Sequence, residues 1–165
     1  MKKVFFLLVS VVFVFSCNSK ENYTIEGELT GVGEGKVYLQ KRESGKFVKI
    51  DSSTIQDGLF RIEGGMVEYP QIYYLSVEGK RGYLNFFLEN SDIMITGHAD
   101  SLYLAEVEGS ATQAEYDAYN KGLEPYYQEN STLFMQSRAA RQEGDEEKAE
   151  ELDAQREQLS DKINE

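Results

Sequence analysis

Alternating apolar and polar side chains recur between residues 23 and 109. The segment 23–29, Tyr-Thr-Ile-Glu-Gly-Glu-Leu, places its large apolar residues on alternate positions only, and this period of two indicates a half-buried strand. Further segments of β-forming composition follow between clusters of turn-forming residues. They are residues 36–41, 47–51, 59–63, 71–77, 83–88, 93–97 and 105–108. The succession predicts an antiparallel β-sandwich or open barrel of seven to eight strands, with no helix inserted among them.

Two turn signals organise the first strands. Residues 31–35 are glycine-rich and are expected to close a hairpin between the first and second strands. Asp57-Gly58 suits a turn with positive φ at both central positions, which predicts a second tight hairpin before the strand at residues 59–63.

The composition changes abruptly after Gly109, and residues 110–165 predict an acidic helical hairpin. Ser110 or Thr112 can cap a first helix, Gly122 and Pro125 are expected to kink or split it, and Gly144-Asp145 is expected to end it. Its apolar stripe has heptad-like spacing. The stripe consists of Tyr116, Tyr119, Leu123, Tyr126, Leu133 and Ser137, with Asn130 interrupting it. The second helix carries Ala149, Leu152, Leu159 and Ile163 on one face. The sequence thus predicts a mainly β fold, residues 23–109, followed by an antiparallel pair of helices.

The N-terminus has the parts of a bacterial lipoprotein signal. Lys2 and Lys3 precede an apolar run at residues 4–15, and the small residue Ser16 precedes Cys17. The run is too short to cross the bilayer as a helix, which takes about 20 apolar residues. We therefore expect a signal peptide (residues 1–16), lipidation of the Cys17 thiol and a polar tether (residues 17–22). An ordinary cleaved signal that leaves Cys17 unmodified is the alternative.

This signal predicts attachment to the cell envelope through the N-terminal lipid, and Lys20, at the third position after Cys17, favours the outer membrane. Removal of Lys2 and Lys3 with the signal would take the net charge from −12 to −14. A chain this acidic is not expected to bind nucleic acid or an acidic membrane face, since both select clustered Lys and Arg.

Few residues are available for catalysis. The chain has one cysteine, one histidine and no tryptophan, so the usual nucleophile–base pairs and zinc ligand sets have little to draw on. We therefore expect no enzymatic activity, no cofactor and no resident metal.

Two polar clusters are candidate sites. His98 with Asp100 could form a ligand or base pair, although a histidine at a strand end is more often a surface or capping residue. Residues 89–92, Glu-Asn-Ser-Asp, offer oxygen ligands suited to Ca²⁺, but they lack the spacing of a calcium loop and also fit a hairpin turn.

Other candidates concern surface recognition and modification. Tyr69, Tyr73, Tyr74 and Tyr83 could line a ligand-binding face, although strand alternation alone would place half of them in the core. Residues 130–132, Asn-Ser-Thr, match the N-glycosylation sequon, which has little meaning in a bacterial lipoprotein. Residues 100–102, Asp-Ser-Leu, are similar to an O-glycosylation acceptor of some Gram-negative envelope proteins. A turn with a capping Asp explains the second motif equally well.

The order of these motifs resembles a known family. It runs from the lipoprotein cleavage motif, or lipobox, at residues 14–17 through Ile25-Glu26-Gly27 and the turn at residues 33–35. It continues with Asp51-Ser52 and the segments 57–64, 87–97 and 109–113. The chain is similar to the N-terminal β-domain of unknown function, with its helical linker, in bacterial thiol:disulfide interchange lipoproteins. In that family the redox chemistry belongs to a downstream thioredoxin-like domain with a tryptophan-flanked Cys-x-x-Cys. This sequence has neither feature, so no catalytic residue is carried over.

Three functional hypotheses follow. The first is a non-catalytic envelope lipoprotein that acts as a binding or positioning module, with a protein partner reached through the helical hairpin and any small-molecule ligand unknown. The second is the truncated front part of a thioredoxin-like thiol:disulfide oxidoreductase. The third is a structural protein that oligomerises through its helical stripe.

Overall fold

The computed structural model describes residues 21–164, and the main-chain elements fall within this range. The strands are β1 (Tyr23–Thr30), β2 (Glu34–Glu43), β3 (Lys46–Gln56), β4 (Leu59–Gly64), β5 (Gln71–Val77), β6 (Leu84–Leu88), β7 (Asp92–His98) and β8 (Glu106–Glu108). A 3₁₀ helix (Ala99–Leu104) lies between β7 and β8, and the helices α1 (Ala111–Glu143) and α2 (Glu146–Asn164) follow. The predicted signal peptide, Cys17 and residues 18–20 of the tether lie outside the described residues.

The eight strands form one sheet in the order β6-β5-β2-β3-β4-β1-β7-β8, which curls until it is nearly closed into a barrel. The predicted strand-rich domain with C-terminal helices is confirmed. The expectation of a purely antiparallel sheet is wrong at one position, because β1 and β7 pair in parallel. Alternation of side chains has the same period in both kinds of pairing, so the sequence pattern could not distinguish them.

Two tight turns join β2, β3 and β4 in succession. Ser44-Gly45 joins β2 to β3 with φ of 49° and 81°, and Asp57-Gly58 joins β3 to β4 with φ of 51° and 80°. Both central residues of each turn are left-handed, as a type I′ hairpin requires, which confirms the turn predicted at Asp57-Gly58. The hairpin expected between the first and second strands at residues 31–35 is wrong, because β1 pairs with β4 and β7 and not with β2.

The core of the barrel is apolar and comes from every strand except β8. The buried residues are Tyr23, Ile25, Leu29, Val37, Leu39, Ile55, Phe60, Ile62, Leu75, Val77, Leu84, Phe86, Leu88, Ile93, Ile95 and Leu102. Gly27 has no side chain because the ring of Phe60 occupies the space, and a Cβ there would lie 2.0 Å from a carbon of that ring.

The gap between the edge strands β6 and β8 is filled by two helical segments. The 3₁₀ helix buries Ala99 and Leu102, and the start of α1 places the buried Gln113 beside β6. Gln113 Oε1 accepts a hydrogen bond from the backbone N–H of Phe87 at 3.0 Å, which satisfies a donor on the open edge of β6. The expectation that no helix interrupts the strands is therefore wrong, because the 3₁₀ helix lies between β7 and β8. The sequence pattern did not predict this helix, since six residues are too few to show helical periodicity.

Helix α1 begins and ends at the predicted residues. The Ser110 hydroxyl accepts the N–H of Gln113 at 3.0 Å, and Gly144 ends the helix at φ 82°. The helix is not split at Gly122 or Pro125. Pro125 leaves the carbonyl of Lys121 without its usual helical donor, and both residues are exposed, so water can take the place of that donor.

Candidate functional site

The predicted His98–Asp100 pair lies at the end of the barrel where β1 and β7 finish. The Nδ1 atom of His98 accepts a hydrogen bond from the backbone N–H of Asp100 at 3.1 Å, which caps the 3₁₀ helix. The imidazole also lies against Gly31, where a Cβ would come within 2.5 Å of the ring. His98 therefore has a structural role, because an accepting Nδ1 atom is already used by the backbone.

Asp100 pairs with Lys80, a partner that no sequence pattern predicts. Lys80 Nζ lies 2.9 Å from Asp100 Oδ1 and also donates to the carbonyl of Gly31 at 3.1 Å. The hydrogen bond from Lys80, with its positive charge, holds the pKa of Asp100 below its usual value. This arrangement ties the β5–β6 loop to the 3₁₀ helix and keeps the carboxylate ionised.

Two of the four candidate calcium ligands at residues 89–92, Glu89 and Asn90, bind different partners. Glu89 accepts the hydroxyl of Thr112 at 2.8 Å, while Asn90 makes two hydrogen bonds, of 2.7 and 2.8 Å, with the backbone of Val67. Burial tends to raise the pKa of Glu89, but hydrogen bonds from Thr112 and Ser110 outweigh it and lower the pKa. Among residues 21–164 no group of three or more His, Cys, Asp or Glu side chains is placed to hold a metal.

The four candidate tyrosines do not form one surface. Tyr73 packs against the core and Tyr69 is exposed in the β4–β5 loop. Tyr74 and Tyr83 meet with Phe47 on the outer face of the sheet, with ring centroids 4.9 to 5.2 Å apart. The contacts between Tyr74 and its two neighbours are edge-to-face, so these rings stabilise one another more than they offer a flat platform for a ligand.

A shallow groove of about 740 Å³ lies on the outer surface of β1, β3 and β4. Leu59 and Met94 supply exposed apolar surface, and Arg61 forms ion pairs with Glu26 and Glu63. No local sequence pattern predicts this groove, since it arises where β3 separates from β4 after the single register pair Gln56–Leu59.

The modification motifs have structural roles in this fold. Asn130 lies between the helices, where its carbonyl accepts from Arg156 at 3.2 Å and its amide lies 3.5 Å from the Ser160 hydroxyl. Residues 100–102 belong to the 3₁₀ helix, and Leu102 of that motif is buried in the barrel.

The apolar stripe of α1 is covered only over its C-terminal half. Ser137 donates to Asp153 at 2.8 Å, Arg141 pairs with Asp153, and Ala140 is buried beside α2. Hydrogen bonds between the helices extend back as far as Asn130. Before that point nearly every residue from 114 to 129 is exposed, and Tyr119 is 61% exposed.

The uncovered part of this stripe is aromatic and continues onto the barrel. We define the helix stripe as Tyr116, Tyr119, Leu123 and Tyr126. Tyr116 packs edge-to-face on Phe87 of β6 at 5.5 Å. Because Tyr combines a flat apolar body with a hydroxyl, and is enriched at protein interfaces, the helix stripe is the best candidate recognition surface in the described part of the chain.

Comparison with known proteins places the barrel in a family. No described helix is both long and apolar enough to span a membrane. The chain has no match among curated proteins. A family model described as a domain of unknown function, DUF4369, matches residues 23–116, which include all eight strands and the first residues of α1. The chain therefore belongs to the DUF4369 family of domains of unknown function.

Proposed function

We propose that this protein is a lipid-anchored envelope protein that acts as a non-catalytic binding or positioning module, of the kind that accompanies thiol:disulfide interchange domains. The lipobox at residues 14–17 supports the anchor, and the motif order from Ile25 to Gln113 supports the link to interchange proteins. In this proposal the barrel is held near the membrane by Cys17, and α1 presents the helix stripe to a protein partner.

The observation that carries the proposal is the unequal covering of α1. The second helix packs against the polar and small residues Asn130, Ser137 and Ala140, whereas the larger aromatic residues before them stay exposed. Burying one tyrosine side chain stabilises a complex by about 1.5–3 kcal/mol, so three exposed tyrosines and a leucine can anchor a partner.

Site-specific photo-crosslinking in envelope preparations tests the binding role. Tyr119 is replaced by a photoreactive phenylalanine derivative, and Tyr103, which is 66% exposed on the 3₁₀ helix, serves as the matched control. We expect a discrete adduct with a thioredoxin-like protein at position 119 and none at position 103. Adducts at both positions, or at neither, would contradict the proposal, and an adduct between two copies would favour an oligomerising protein instead.

The anchor and the absence of catalysis are tested separately. We expect Cys17→Ser to abolish incorporation of labelled fatty acid and to leave the protein uncleaved or soluble, whereas normal acylation of this variant would overturn the assignment. Reproducible turnover of a thiol or hydrolase substrate by the isolated mature chain would exclude a purely non-catalytic role.

A further inference from the structure

The pairing between β2 and β3 continues past the point where each of them stops pairing with its other neighbour. β3 pairs with β4 at Gln56–Leu59, and β4 pairs with β1 as far as Gly64–Tyr23. On its other side, β2 pairs with β5 only as far as Gln40–Tyr74, so residues 46–50 have no strand partner outside the hairpin. Because β3 is antiparallel to β4 and β4 is antiparallel to β1, this extension lies at the end of the barrel where β1 begins. At about 3.3 Å per residue, this extension spans about 16 Å. We call residues 41–50, with the turn Ser44-Gly45, the basic hairpin.

The basic hairpin leaves the barrel at the same end as the N-terminal tether. Tyr23 starts β1, and the tether of residues 17–22 can span at most about 20 Å when it is fully extended. The pairing register shifts between Leu39 and Gln40, which leaves Ile50 without a partner across the hairpin, and Phe47 packs on Tyr74 and Tyr83. The hairpin and the anchoring residue therefore lie within reach of the same surface.

The charge of this hairpin is opposite to that of the whole protein. The chain has a net charge of −12, yet residues 41–49 contain four basic side chains and one acidic side chain, Glu43. The basic residues are Lys41, Arg42, Lys46 and Lys49. Within residues 21–164 none of the four forms an ion pair, although Lys49 lies over the ring of Tyr38 at 3.4 Å.

Apolar side chains accompany these charges. Phe47 is 43% exposed and Ile50 is 46% exposed, and Val48 between them is exposed as well. Basic residues interleaved with exposed aromatic and aliphatic residues suit the boundary between lipid headgroups and acyl chains. By contrast, Glu21, Glu63 and Glu68 lie at the barrel end itself, so an anionic surface attracts the hairpin and repels the remainder of that end.

We propose that the basic hairpin contacts the anionic phospholipid headgroups of the membrane to which Cys17 is anchored, with Phe47 and Ile50 entering the interface. In the cell, this contact depends on the proposed lipid anchor, which would hold the barrel near the membrane. The contact would fix the orientation of the barrel over the membrane, which a flexible tether alone does not do. An overall acidic composition, which argues against membrane affinity for the whole chain, does not exclude it for this segment.

The experiment uses two features of the sequence. Cys17 is the only cysteine, so the chain from residue 17 onward can be coupled through its thiol to a maleimide lipid in vesicles, whether or not the cell acylates it. The chain has no tryptophan, so Phe47→Trp and, separately, Ile50→Trp each introduce a unique fluorophore into the hairpin. Tyr103→Trp is the exposed control, because the 3₁₀ helix follows β7 at the opposite end of the barrel.

We expect the emission of both hairpin tryptophans to shift to the blue, and to be quenched by brominated acyl chains, in vesicles with phosphatidylglycerol. We expect little change at position 103 and little change at any position in phosphatidylcholine alone. Unshifted emission from both hairpin tryptophans in anionic vesicles, or an equal shift at position 103, would overturn the proposal. Failed acylation in cells would affect only the proposed anchor.

Charge removal provides the second measurement. In the Ile50→Trp background, Arg42→Gln with Lys46→Gln should lower the equilibrium constant for insertion, taken from the quenched fraction, about 25-fold, or about fivefold for each charge. The matched control, Arg81→Gln with Lys121→Gln, removes two exposed charges elsewhere and should change the constant less than twofold. An equal loss in both double variants would show that only the net charge matters and would contradict a site at the hairpin.

Discussion

The barrel and the helical arm, which consists of α1 and α2, bury their apolar residues to different extents. In the barrel, sixteen large side chains form one buried cluster, and even the gap between its edge strands is filled by Leu102 and Gln113. In the arm, the two long helices bury Ser137, Ala140, Ala149, Leu152 and Leu159, while most aromatic residues of α1 stay exposed. The barrel is therefore stabilised by a continuous apolar core, whereas the two helices are stabilised by the few residues buried between them.

This difference separates the residues that stabilise the fold from those that contribute little to it. Exposed tyrosines along α1 contribute little to folding, because their apolar area is not removed from water. They remain available for a complex in which they would be buried. The polar contacts between the helices, from Asn130 to Asp153, and the cation–π contact of Arg156 with Phe134 at 4.9 Å hold the two helices in register without using the tyrosines of the helix stripe.

The largest expected effect is in the barrel core. Leu75→Ala removes a fully buried side chain and should lower the free energy of unfolding by about 3 kcal/mol, since it leaves a cavity among rigid strands. The measurement is urea denaturation followed by the near-ultraviolet circular dichroism of the tyrosines. Tyr119→Ala is the control and should change the stability by less than about 0.5 kcal/mol. A comparable loss in the control would mean that α1 is packed in solution and would remove the contrast.

The sequence predicted the barrel better than it predicted the arm's role. Alternation at Tyr23, Ile25 and Leu29 and the Asp57-Gly58 turn were sufficient to place strands and a hairpin, because local backbone preferences and burial agree there. The parallel pairing of β1 with β7 depends on contacts between residues about 70 positions apart, which no local pattern encodes.

The candidate site was predicted only in part. Heptad-like spacing identified the helix stripe, but which half α2 covers depends on how the two helices align after the turn at Gly144. Lys80 was missed as the partner of Asp100, because a long side chain from a loop gives no periodic signal. Glu89 and Asn90 were considered as metal ligands because their oxygens are chemically suitable, and only the fold shows that Thr112 and Val67 use them.

A smaller and more local effect is expected in the arm. Leu159→Ala should weaken the packing of α2 on α1 by about 2 kcal/mol, since Leu159 is one of the few residues buried between them. Amide hydrogen exchange should accelerate in residues 146–164 and remain unchanged in the strands. Gln155→Ala, at an exposed position of the same helix, is the control. Faster exchange in β1 or β5 of the Leu159 variant would show that barrel and arm unfold as one unit.

The smallest expected effect is at Glu89, which connects the barrel to the start of α1. Its carboxylate accepts hydrogen bonds from Thr112 at the start of α1, and its pKa is lowered from the ordinary value of 4.5. A lowered pKa means that the folded state holds the proton less tightly than the unfolded chain does. The stabilisation is therefore complete above the pKa of Glu89 in the unfolded chain and is lost as the pH falls through its pKa in the folded protein.

In Glu89→Gln, the melting temperature should fall less steeply than in the parent protein as the pH drops below about 5. Glu124→Gln, at an exposed position of α1, is the control and should have the same pH dependence of melting temperature as the parent protein. The measurement is thermal denaturation between pH 3 and pH 7, at roughly half-unit intervals, with hydrogen exchange at residues 111–114 as the local reporter. If both variants have the same pH dependence below about pH 5 as the parent protein, Glu89 does not link α1 to the barrel through its charge, and the junction depends on its other contacts, such as those of Gln113 and Tyr116 with Phe87.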